Sequence, residues 1–203
     1  PMVRQIVACG SPNFLNNVAA RVTSILMNFV LLRLGGQNAV SIYGILMYVD
    51  GLIQPLLYGA CDSLQPAVSF NWGAGSLDRV RAIERYCFSA AAGISLLSAG
   101  VLFSCPGAVT ALFLSGMDEA FLDTARLAIR LFALTYLTRW FSFAVQSLMT
   151  AVERALAASL ISVSTALLFP AALILLLWPL GLTGIWLNFA ATSLLAGGLA
   201  WYI

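Results

Sequence analysis

The sequence predicts an all-α fold, a polytopic membrane protein built as a bundle of six transmembrane helices, and three observations predict it. Hydrophobic residues make up 61% of the 203-residue chain and charged residues only 9%, against roughly 45–50% and 25% in soluble domains, so a water-soluble fold has no place to bury the surplus. Apolar stretches of about 20 residues, the length that crosses a bilayer, recur six times. Turn-forming clusters separate several of them: Gly35-Gly36-Gln37-Asn38, Gly73-Ala74-Gly75-Ser76, Cys105-Pro106-Gly107 and Trp178-Pro179-Leu180-Gly181.

In chain order the spans are predicted at about 12–34, 39–70, 86–104, 127–151, 155–178 and 182–203. Each is helical because lipid offers the backbone no hydrogen-bond partner, so every amide must be satisfied within its own segment. Two connections are long. In the first, 77–85 reads as an amphipathic helical lead-in lying at the interface. The second carries the acidic residues Asp118, Glu119 and Asp123. Arg4, Arg79, Arg81, Arg85 and Arg154 fall on the side reached after an even number of crossings, and basic residues in short loops stay cytoplasmic. Both ends are therefore expected on the cytoplasmic face of the cell membrane. The chain shows no internal repeat and reads as a single membrane domain, 1–203. Pro1 before Met2, and the close on Trp201-Tyr202-Ile203 within an apolar run, read as a piece of a longer protein.

Several function classes fall away. The net charge is +2, with ten arginines and no basic tail to neutralise phosphates, so nucleic acid is not an expected partner. There is no histidine, and Cys9, Cys61, Cys87 and Cys105 lack metal-ligand spacing. The cysteines read as small packing residues, and no metal or cofactor is expected beyond a coupling ion. Triads that need histidine as base cannot be built, so the chain is not expected to be an enzyme.

What remains is polar residues at membrane depth, where each charge costs at least about 2.5–3.5 kcal/mol. They recur at helical spacing. Asn13, Asn17, Arg21, Ser24 and Asn28 share one face of the first span; Asp50, Gln54, Tyr58, Asp62, Gln65 and Ser69 share one face of the second; Thr135, Arg139, Ser142, Gln146 and Thr150 follow on the fourth. Three such stripes turned inward predict a hydrated cavity. Counting along the spans places Arg21, Asp50 and Arg139 near mid-depth, and Asp50 is expected to pair with Arg21 or Arg139. The competing reading is that these groups are ties between helices, each contributing about 1 kcal/mol. Pro170, in the middle of the fifth span, deletes a backbone bond and predicts a kink, either a hinge or a static bend.

The run Gln65-Pro66, followed by Asn71-Trp72-Gly73-Ala74-Gly75 and Arg79-Val80-Arg81, resembles the multidrug and toxic compound extrusion (MATE) family in the half that begins with its seventh helix. Leu34-Gly35-Gly36, Phe169-Pro170 and Gly181-Leu182-Thr183-Gly184 support the likeness across nearly the whole chain. The resemblance implies a twelve-helix antiporter of two six-helix lobes that exports cationic or amphipathic drugs in exchange for protons or sodium. This chain would be the C-terminal lobe, and its partners would be membrane lipid, the small-molecule substrate and the missing N-terminal lobe. Some sodium-linked members carry acids on the seventh and tenth helices. The first and fourth spans here offer Asn16, Asn17 and Arg21, then Phe141 to Gln146, which puts a sodium site of that kind in doubt.

Two other readings stay open. A flippase for lipid-linked sugars, of related fold, would need a strongly cationic cavity, and Arg21 and Arg139 keep it in play. A non-transporting structural subunit should lack mid-depth polar stripes.

Overall fold

The computed structural model describes residues 2–113 and 118–203, with side chains from Phe14 onward apart from residues 15 and 16. The expected contributions of Arg4, Cys9, Asn13 and Asn16 therefore lie outside the described side chains. Among the described residues the regular structure is all helical. It runs α1 Met2–Asp62, α2 Gln65–Gly73, α3 Leu77–Ser104, α4 Pro106–Phe113, α5 Glu119–Ala133 and α6 Tyr136–Ala151. Then come α7 Ala155–Val163, a π-helical turn Ser164–Leu168, α8 Phe169–Leu177, a 3-10 turn Trp178–Leu180 and α9 Gly181–Tyr202.

α1 is two rods joined by a reversal. In a straight helix Ser24 and Tyr43 would stand roughly 28 Å apart, yet the Tyr43 hydroxyl reaches Ser24 Oγ at 3.4 Å. The chain doubles back at Gly36, where φ is 63° and ψ is −158°, a backbone state that a side chain would strain. The same device recurs at Gly181, with φ 62° and ψ −144°. There a β-carbon on Gly184 would collide with the Leu177 carbonyl.

These reversals explain the count of crossings. Three stretches are long and apolar enough to span a membrane among the described residues, Asn17–Gly73, Leu77–Ser104 and Ala155–Tyr202. The first and third each fold back on themselves, so the three supply five passes, and α5 with α6 makes the sixth. Large apolar side chains such as Ile25, Leu52, Leu97, Leu156 and Leu175 point outward, as lipid-facing residues must. Leu31, Leu46, Phe132, Tyr136 and Trp186 are sealed inside.

Three expected spans are interrupted. The 39–70 span breaks at Ser63 and Leu64, and α2 restarts with Pro66 in its first turn, where the missing amide hydrogen does no harm. The 127–151 span breaks at Leu134 and Thr135. The 155–178 span carries the π-turn just before Pro170. The 77–85 segment is helical, as expected of a lead-in, and runs without interruption into the third span as the first turns of α3.

At each interruption a neighbouring helix satisfies a backbone oxygen. Ser147 Oγ donates to the Cys61 carbonyl at 2.9 Å. Ser193 Oγ donates to the Thr135 carbonyl at 2.7 Å, and Ser95 Oγ to that of Tyr136 at 2.6 Å. Pro170 has no amide hydrogen to offer the carbonyl four residues back, and Thr23 Oγ1 of α1 donates to that Ala166 oxygen at 2.5 Å. Asn188 Nδ2 of α9 donates to the Pro170 carbonyl at 2.9 Å. The segment around Pro170 is thus fastened from two sides.

Candidate functional site

Two polar sites emerge, one closed and one open. The closed site joins α1 to α6. Asp50, 8% exposed, accepts from Arg139 Nη1 at 2.7 Å and Nη2 at 3.3 Å, and from the Tyr136 hydroxyl at 2.6 Å. The rings of Tyr136 and Phe143 lie 5.8 and 5.3 Å from the guanidinium carbon. A carboxylate met by a two-pronged guanidinium and a phenol is charge-balanced and has both oxygens engaged. The break before α6 positions this cluster, because Tyr136 opens the helix and Arg139 follows on the same face.

The open site is a cavity of about 230 Å³ lined by Asn17, Tyr58, Asp62, Gln65, Phe143, Gln146, Ser147 and Thr150. It gathers residues from both rods of α1, from the start of α2 and from α6. Asp62 closes α1 and is exposed. Gln65 Nε2 donates to Asp62 Oδ1 at 2.8 Å and to Ser147 Oγ at 3.0 Å, while Ser147 holds the Cys61 carbonyl. The break in the second span therefore turns an aspartate and a glutamine toward one space. Tyr58 and Phe143 stack at 4.6 Å between ring centroids, giving the cavity an apolar wall. Among the described residues its lining includes one carboxylate and no cationic side chain.

The fold divides the predicted stripes. Asn17, Asp62, Gln65 and Gln146 meet in the cavity. Asp50 and Arg139 leave it and close on each other. Arg21 is exposed, lines neither site, and does not pair with Asp50, whose guanidinium partner is Arg139. Asn28 is half-buried and donates to the Ser24 carbonyl of its own rod. Gln54 is half-buried between the two sites and bonds to neither carboxylate. Ser142 and Thr150 bond back to their own helix, as hydroxyls in helices commonly do. The stripes thus divide: Asp50 and Arg139 close on each other, while Asn17, Asp62, Gln65 and Gln146 face open space.

Tyr136, Phe143, Ser147, Thr23 and Asn188 were not singled out from the sequence. Tyr136 lies three residues before Arg139, and Ser147 directly follows Gln146, so helical spacing held a signal for the first. Thr23 and Asn188 answer a carbonyl on a distant segment and left none.

The family-like run has a visible structural role. Pro66 starts α2, and Asn71 Nδ2 caps back to the Ala67 carbonyl at 2.8 Å. After Gly73 and Ala74, Gly75 adopts φ 70°. The Ser76 amide then returns to the Asn71 carbonyl at 2.9 Å and the Gly75 amide to that of Trp72 at 3.0 Å, a helix stop built around a left-handed residue. The end of α6 uses the same pair of bonds, from Arg154 to Met149 at 2.8 Å and from Glu153 to Thr150 at 3.2 Å, with Glu153 at φ 62°.

Long apolar helices, outward-facing aliphatic side chains and fastened helix breaks define a polytopic helical membrane protein. The family model MatE matches residues 12–176, and the chain belongs to that family. No curated protein matches it. Among solved structures, a multidrug resistance MATE family transporter of the MOP superfamily in its outward-facing conformation superposes with a TM-score of 0.89 at 15% identity, over 98% of this chain and 45% of that one. The inward-facing conformation of such a transporter gives 0.82 at 16% identity, over 98% and 46%. A MOP superfamily transporter from Pyrococcus furiosus Vc1 (DSM3638), whose binding pocket is described as reversed in polarity and suggestive of a different function, gives 0.88 at 15%, over 98% and 45%. At these identities the likeness is one of fold, and the chain spans somewhat under half the length of each.

Proposed function

We propose that this chain forms one lobe of a secondary active exporter that moves cationic or amphipathic drugs out across the cell membrane in exchange for protons or sodium, with both ends of the chain cytoplasmic. Membership of the MatE family supports transport as the class, and the fraction of each similar structure that the chain spans supports a second lobe as partner. The observation that carries the reading is the Asp62 cavity, which joins one carboxylate, several amide and hydroxyl groups and a stacked aromatic wall. Such a surface suits an organic cation: the ring faces take its apolar body, and the carboxylate its charge. An unneutralised carboxylate about 4 Å from a cation contributes roughly 4 kcal/mol at an effective dielectric of 20.

The sodium-site doubt raised by the sequence also changes form. The first and fourth spans contribute Asn17 and Gln146, and the acid reaches the same cavity from the second span as Asp62. A flippase for pyrophosphate-linked sugars is disfavoured, because Arg139 is committed to Asp50 and Arg21 lies outside the lining.

The test is efflux of a fluorescent cationic dye from cells making the complete transporter, native against Asp62→Asn, at matched protein levels. Asp62→Asn keeps the Gln65 contact and removes the charge, so efflux should be lost. Native-like efflux in that variant would sink the cavity reading. No efflux from the native protein either, with dye binding absent, would favour a structural subunit.

A further inference from the structure

Two buried thiols stand outside everything described so far. Cys61 and Cys87 are 2% and 7% exposed. Cys61 is the penultimate residue of α1, just before the break in the second span, and Cys87 belongs to α3. Both are free. They face the same small cavity of about 20 Å³, which Gln65, Ser147 and Glu84 also line. Packing alone accounts for a buried cysteine, but not for two thiols converging from different helices at a point where one of those helices is discontinuous. The cavity also shares Gln65 and Ser147 with the Asp62 site, so whatever immobilises Cys61 immobilises the wall of that site.

We propose that Cys61 and Cys87 are a dithiol pair that a two-electron oxidant converts to a disulfide, tying the end of α1 to α3 and arresting the lobe at the Ser63–Leu64 break. With a diazenedicarboxamide as oxidant, one thiol adds across the N=N bond to give a sulfenyl hydrazide. The second thiolate attacks that sulfur, the S–S bond forms, and the S–N bond breaks. The hydrazine carries away both electrons and both protons, so the protein is oxidised and the reagent reduced. Attack requires the sulfurs to meet with little backbone movement, and the two side chains already line one cavity. A thiol-based reductant reverses the step.

The arrest of transport rests on the exporter reading; the crosslink itself does not. The complete transporter, in membranes, is treated with diamide, digested and mapped by mass, and dye efflux is followed in parallel. The expected result is one joined peptide containing Cys61 and Cys87, lighter by two hydrogens than its separate parts and split by dithiothreitol. Efflux should fall on oxidation and recover on reduction. Cys61→Ser and Cys87→Ser should each keep untreated efflux and lose sensitivity to diamide. Full alkylation of both thiols after diamide overturns the pair, and a joined peptide with undiminished efflux overturns the arrest. A joined peptide from a protein that shows no efflux even untreated supports the pair while telling against the exporter.

Discussion

Asp50 and Asp62 lie twelve residues apart on the same rod, a little over three turns along it, and meet opposite fates. Asp50 has every oxygen engaged by Arg139 and Tyr136. Among the described residues Asp62 receives one amide hydrogen bond, from Gln65, and lines the open cavity. The difference comes from what each residue meets across the helix interface rather than from the residue itself. An aspartate on such a rod becomes a tie where the opposing helix supplies a guanidinium, and stays open to the cavity where it supplies only amides and hydroxyls.

The sharpest way to break the comparison is to remove each carboxylate and measure thermal unfolding of the purified protein. Asp50→Ala strands the Arg139 guanidinium and should cost about 3–5 kcal/mol, whereas Asp62→Ala should stay within about 0.5 kcal/mol of native. Equal losses would mean that both groups are structural. Replacing the pair together, Asp50→Leu with Arg139→Met, should recover most of the single-variant loss, since a buried ion pair exchanged for well-packed apolar residues is often neutral. Failure to recover would show that the ion pair specifies the fold. Tyr136→Phe removes one hydrogen bond to a charged acceptor and should cost about 1.5–3 kcal/mol by the same measurement.

A smaller loss than that of Tyr136→Phe is expected at the edge of the open site. Ser147→Ala loses both the bond to the Cys61 carbonyl and the acceptor for Gln65, and should cost about 1 kcal/mol. It should still disturb dye efflux, because Gln65 then no longer holds Asp62 in place. A stable variant with native efflux would detach the break in the second span from the cavity's function.

How much of this could be read beforehand follows from the range of the interactions. The all-helical membrane fold was legible because burial in lipid is written residue by residue as hydropathy, and the family because Gln65-Pro66 and Asn71 to Gly75 encode a local helix start and stop. Candidate polar residues were legible as stripes, since helical spacing is local. Which stripe members would face each other was not: choosing Arg139 over Arg21 for Asp50 depends on how α1 packs against α6. The break at 134–135 was hidden too, because Leu134-Thr135 contains no helix breaker, whereas the break at 63–64 had a signal in Pro66 that the continuous apolar run masked. They persist because Ser147, Ser193 and Ser95 on neighbouring helices take up the freed carbonyls.

That last arrangement has a consequence for how such a bundle flexes. A rod in hydrocarbon cannot bend by exposing its amides to solvent, since none is there. When a hydroxyl from next door covers the gap, the location of the joint is written in the neighbour's sequence as much as in the rod's own. Moving Ser193 or Thr23 by one helical turn should therefore shift where the adjoining rod articulates, even though that rod itself is untouched.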